Sequence, residues 1–141
     1  MRGSSVVKLR LLVAVGVAAG SLPAAAVASR SPTKSEAAAI KRVALDACEP
    51  SPVGKCKYHG ARVSTRNRRY AWADVTTEGF SGVLLKRPTA RSRRFKVVGT
   101  QGGGIGACSY WRARAPRDVL RDLRIFGVVD DSGATVNCGK A

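Results

Sequence analysis

The stretch whose spacing most resembles a known chemical device is Gly102-Gly103-Gly104-Ile105-Gly106-Ala107, which fits G-x-G-x-x-A and follows a strand-like run. Such a loop cradles a dinucleotide only when a helix starts at its end and turns its N-terminus to the pyrophosphate. Here Cys108 and Pro116 follow, and no βαβ pattern surrounds the run. A flexible loop or strand bulge is expected instead, and no cofactor. Nucleophilic catalysis needs a nucleophile, a base and an orienting group. Ser64, Ser81, Ser109 and Ser132 are present, but His59 is the single imidazole. Lying between Tyr58 and Gly60 just after Cys56, it reads as a loop histidine. With one histidine and no C-x-x-C pair, the metal-ligand spacings are missing and no metal site is expected.

Paired carboxylates are the remaining catalytic option. Asp74 and Glu78 fall near the end of one strand, and Asp118 and Asp122 are one helical turn apart. A small wall-active hydrolase would place two carboxylates across a sugar cleft, with Asp74 or Glu78 as candidates. Asp118 and Asp122 alternate with Arg117, Arg121 and Arg124, the pattern of a solvated helix face with ion pairs. No catalytic residue is assigned on this basis, and a non-enzymatic chain is expected.

The basic residues are the strongest feature left. The chain of 141 residues carries 25 Lys and Arg against 9 Asp and Glu, a net charge of +16. They concentrate in expected turns, at Arg66, Arg68 and Arg69, at Lys86 and Arg87, and at Arg91, Arg93 and Arg94. Adjacent hairpin turns would bring several of these together as an anion-binding patch, and a clustered patch attracts polyanions. Tyr70, Trp72, Tyr110 and Trp111 would add stacking surfaces. Plain solubility accounts for high charge as well.

The elements that must position these residues begin after a leader. Arg2, Lys8 and Arg10 precede an apolar run from Leu11 to Leu22, and Ala26-Val27-Ala28 is an A-x-A site. Residues 1–28 therefore read as a cleaved signal peptide. The Gly-broken run is short for a membrane span, and none is expected after cleavage. What remains is 113 residues with net charge +13, preceded by a flexible lead-in at 29–34, with one secreted α+β domain over 35–141. Four cysteines behind a signal peptide imply disulfides. Three pairings exist. Cys48–Cys56, which closes a loop holding Pro50, Pro52 and Gly54, is favoured together with Cys108–Cys138.

Thr33-Lys34-Ser35-Glu36 matches a capping box, and Ile40, Val43, Ala44 and Ala47 recur at helical spacing. An N-terminal helix is predicted from about Lys34 to Cys48. Strands are predicted at Arg62 to Thr65, Tyr70 to Thr77, Val83 to Lys86 and Phe95 to Val98, separated by turn residues. Glu78 to Gly82 reads as a loop. Tyr70, Trp72 and Asp74 should face one way, and Ala71, Ala73 and Val75 the other. Pro116 suits the first turn of a short second helix carrying Val119, Leu120 and Leu123. Ile125 to Val129 and Thr135 to Cys138 would form a C-terminal hairpin. The architecture expected is an N-terminal helix packed on one face of an antiparallel β-meander.

This order of parts resembles small secreted actinobacterial proteins of unknown function. The likeness rests on Arg62-Val63-Ser64-Thr65, the aromatic strand Arg69-Tyr70-Ala71-Trp72-Ala73-Asp74-Val75, and Phe95-Lys96-Val97-Val98-Gly99 before the glycines, Cys108 and Pro116. It implies fold and export and brings no catalytic residues. The size and the 30-residue Cys108–Cys138 spacing also resemble bacterial protease inhibitors. However, a first cysteine pair eight residues apart and a leading helix depart from the subtilisin-inhibitor pattern. An inhibitor would present Ser51 to Lys57 or Gly99 to Ala107. The expected function is binding of an anionic cell-envelope polymer, lipid head groups or an extracellular protein by a monomer. Nucleic acid is not the expected partner.

Overall fold

Thr33 starts the first helix as the motif requires. Its hydroxyl accepts the Glu36 N–H at 3.3 Å, and Glu36 Oε2 accepts the Thr33 N–H at 2.9 Å. This reciprocal cap satisfies donors that the first helical turn would otherwise leave open. Helix α1 runs over Lys34–Ala47, and Cys48 leaves it in extended geometry. The computed structural model describes residues 28–48, 54–102, 105–129 and 133–140. The expected signal peptide thus lies outside the described residues, apart from Ala28.

Four strands follow: β1 (Lys57–Val63), β2 (Tyr70–Thr76), β3 (Phe80–Lys86) and β4 (Lys96–Gly102). They form one antiparallel sheet in sequence order, the predicted meander. β1 starts five residues earlier than its apolar pattern suggested. It is an edge strand, and Lys57 and His59 point to solvent, so the first half shows no alternation of apolar residues. His59 is therefore on a strand, not a loop, with Nε2 2.6 Å from Thr76 Oγ1. The loop expected at Glu78 to Gly82 shrinks to a tight turn in which Gly79 takes φ 78°, a left-handed value that glycine adopts without steric penalty. β4 extends into the glycine stretch.

The C-terminal part holds α2 (Cys108–Arg112), α3 (Arg117–Asp122), β5 (Phe126–Val128) and β6 (Thr135–Asn137). α3 is the predicted second helix, opened by Pro116. α2 was not foreseen. A five-residue helix does start just beyond the glycines, but it follows an antiparallel meander and Cys108 ties it to Cys138. β5 and β6 pair as the C-terminal hairpin.

The strict alternation of β2 divides two cores. Ala71, Ala73 and Val75 meet Ile40, Ala44, Val83, Leu85 and Phe95 beneath α1. Tyr70, Trp72 and Leu84 meet Trp111, Val119, Leu120, Leu123 and Ile125 on the opposite side. Both faces of the sheet are covered, where the sequence pattern had placed a helix on one face only. The aromatic residues named as stacking surfaces are consumed by this second core. Tyr70, Trp72 and Trp111 are buried, Trp72 and Trp111 meet edge to face at 5.5 Å, and Tyr110 is half-buried. Such a pair adds about 1 kcal/mol beyond its burial.

The disulfides are Cys48–Cys56 and Cys108–Cys138. The first staples the end of α1 to the start of β1, and the second ties α2 to the residue after β6. The lead-in is held as well. Arg30 pairs its backbone with Val63 in both directions, at 2.9 and 2.8 Å, and its guanidinium grips Glu36. Among the described residues no helix is long and apolar enough to cross a membrane.

Candidate anion-binding site

In an antiparallel meander alternate turns fall at the same end of the sheet. The β1–β2 connection, residues 64–69, therefore lies beside the β3–β4 connection, residues 87–95. The two are stitched together. Arg87 N–H donates to Arg69 O at 2.8 Å, and Arg69 Nε–H donates to Arg87 O at 3.1 Å. Topology thus gathers the basic turns that the sequence had only set side by side.

Each turn is built from inside by short polar side chains. Ser64 Oγ accepts the N–H groups of Arg66 and Asn67, both at 3.2 Å, and Asn67 Oδ1 accepts the Arg69 N–H at 3.1 Å. These local bonds favour turns over continued strand. Asp122 closes the structure from α3. Its Oδ2 accepts from Ser64 Oγ at 2.7 Å and from the Thr65 N–H at 2.6 Å. Asp122 is buried, so the solvated helix face expected for it is corrected; Asp118 alone of the two is exposed. In the other turn Thr89 and Ser92 play the same part, with Ser92 Oγ accepting the Arg94 N–H.

Arg87 is the main correction to the predicted patch. It is 2% exposed, and its guanidinium is spent on partners within the protein. Its guanidinium donates to Arg68 O at 2.9 Å, Ser92 O at 3.0 Å and Glu36 Oε1 at 2.8 Å, and it stacks on Phe95. One planar group thus joins both turns to α1, a task suited to the fixed fork of arginine. Glu36 balances Arg87 and Arg30 together. Hydrogen bonding to Arg30 is the main cause that holds its carboxyl far below the usual carboxylate range, against the opposing effect of burial.

The other predicted residues stay available. Arg66, Arg68, Arg91, Arg93 and Arg94 are exposed, and Arg69 and Lys86 are half-buried. Lys86 lies over the Tyr70 ring at 5.2 Å. The site also includes Lys96, which the sequence reading passed over. It stands directly across the ladder from Lys86. Its signal was the register of β3 against β4, which a single strand does not carry. Arg69, Lys86, Arg87 and Lys96 line a shallow concavity of about 210 Å³ with Pro88 and Val98.

Asp74 and Glu78, the carboxylates considered for a hydrolase, sit in different settings. Asp74 accepts from Arg62 at 3.1 Å and from Trp72 Nε1 at 2.8 Å, with its side chain still partly exposed at the edge of the second core. Glu78 is exposed in the β2–β3 turn. The two inhibitor-loop candidates lie partly outside the described residues. No protein-family model, curated protein or solved structure matches the chain.

Proposed function

We propose that this chain is an exported, non-enzymatic binding domain whose sheet end engages an anionic component of the cell envelope. One observation carries the reading. Residues 64–69 and 86–96 contain nine basic residues and no acidic one, and among the described residues Arg87 alone of the nine is in an ion pair. Like charges directly opposite on a ladder destabilise a sheet, yet Lys86 faces Lys96. A polyanion lying along the turns would relieve that repulsion and would be drawn in by the combined field. Export is supported by the A-x-A leader and by two disulfides, which persist in oxidising compartments.

The test is retention of the purified, disulfide-intact protein on cell-wall sacculi and on phosphatidylglycerol vesicles, with phosphatidylcholine vesicles beside them. Binding to the anionic surfaces should fall steeply between low and physiological salt, because exposed charges are screened over about 8–10 Å there. Equal retention on neutral and anionic surfaces would refute the proposal.

A further inference from the structure

A second basic concavity borders the β1 side of the sheet end, between the 28–31 segment and the C-terminal module. It has a volume of about 540 Å³ and is lined by Ala28, Ser29, Arg30, Ser31, Arg62, Arg124 and Phe126. Among the described residues no carboxylate lines it, while Asp118 and Asp122 line the adjoining concavity that shares Ala28 and Arg124. Its three guanidiniums differ in what they leave free. Arg30 is committed to Glu36. Arg62 projects from β1, donates Nε–H to Leu123 O at 2.7 Å and Nη1–H to Asp74, and keeps Nη2 without a partner among the described residues. Arg124 is exposed, and its side chain has neither an ion pair nor a hydrogen bond among the described residues.

Two facts make the placement of Arg124 informative. It follows α3 with φ 53°, the only non-glycine residue at positive φ among those described, where glycine or asparagine is the ordinary choice. Its charge also acts on Arg62. Burial is the main cause that lowers the Arg62 guanidinium below its ordinary pKa, and the nearby Arg124 charge pushes it the same way, against the attraction of Asp74. The fold thus holds two like charges close enough to interact, one half-buried and paired with Asp74, the other exposed.

We infer that Arg62 and Arg124 form a site for the phosphate group of a ring-bearing phosphate ester, in a cavity that Ser29 and Ser31 also line. Guanidinium forks match phosphate oxygens bidentately, and a phosphomonoester carries enough charge to offset both cations. Phe126, 46% exposed, supplies a flat apolar surface for the organic ring. The volume lies in the range of small-molecule sites. This site shares no lining residue with the sheet-end patch, although Arg124 also lines the adjoining concavity that Arg66 borders.

The experiment is calorimetric titration of the disulfide-intact protein with phenyl phosphate and with inorganic phosphate, alongside phosphatidylglycerol vesicles. Arg124→Asn is the diagnostic variant because asparagine tolerates the left-handed backbone, so its melting temperature should match wild type. Phenyl phosphate affinity should fall at least tenfold in Arg124→Asn. Phe126→Ala should weaken phenyl phosphate and leave inorganic phosphate unchanged. Arg93→Gln should alter neither. A loss in Arg124→Asn seen with phenyl phosphate supports the site, and a loss seen only with the vesicles would overturn it as a site for a ring-bearing phosphomonoester. Unchanged binding of both in Arg124→Asn would overturn the site.

Discussion

At the scale of the residue, Glu36 carries more of the structure than its position in a helical first turn suggests. It caps α1, anchors Arg30 and receives Arg87. Its folded pKa is depressed, so its stabilisation is fully present above the ordinary carboxylate pKa and is lost as pH falls below it. Melting temperature should be level at neutral pH and fall below about pH 4.5. Glu36→Gln should flatten that acid limb, while an equally steep limb in the variant would show that another group titrates. Arg87→Met should cost about 3 kcal/mol in urea unfolding, because it strips donors from Arg68 O, Ser92 O and Glu36 at once. An exposed turn arginine would move stability by less than about 0.5 kcal/mol, so the measured difference separates the two roles.

At the scale of the element, the two tryptophans set how closely strands and helices approach. A Cβ on Gly82 would run into the Trp72 indole, and one on Gly99 would meet Trp111 at 2.7 Å. Gly82→Ala should therefore destabilise by about 1–3 kcal/mol, read by denaturant midpoint at constant slope. The alternation of β2 and the capping box of α1 were legible because both depend on neighbours two to four residues apart. So were α3, announced by Pro116, and the hairpin after it, announced by the runs Ile125 to Val129 and Thr135 to Cys138. Arg87 and Asp122 were not legible as buried groups. Their partners lie 51 and 58 residues away, and nothing local distinguishes them from the solvated charges around them. Lys96 was missed for the same reason, since only pairing against β3 places it beside Lys86. Among the candidate site residues, then, local sequence marked which turns were basic, while tertiary contacts decided which cations stayed free.

At the scale of the molecule, one sheet is shared by two cores, each closed by its own disulfide-tied segment. Chain-entropy arguments give about 2.5 kcal/mol for the loop of separation 8 and about 3.5 kcal/mol for that of separation 30. Removing Cys108–Cys138 by paired serine substitution should lower the melting temperature more than removing Cys48–Cys56. The order would invert if local strain, not loop length, set the contribution. Both cores converge on the turn end of the sheet, where Arg87 locks the connections and leaves seven exposed or half-buried cations of the predicted patch, with Lys96 beside them, facing outward. The most direct measurement is the salt dependence of binding to phosphatidylglycerol vesicles by wild type and by the Arg91→Gln, Arg93→Gln, Arg94→Gln triple variant. At constant melting temperature, the triple variant should bind at least tenfold more weakly at low salt and show a shallower salt slope. Wild-type affinity and slope in the triple variant would contradict the account.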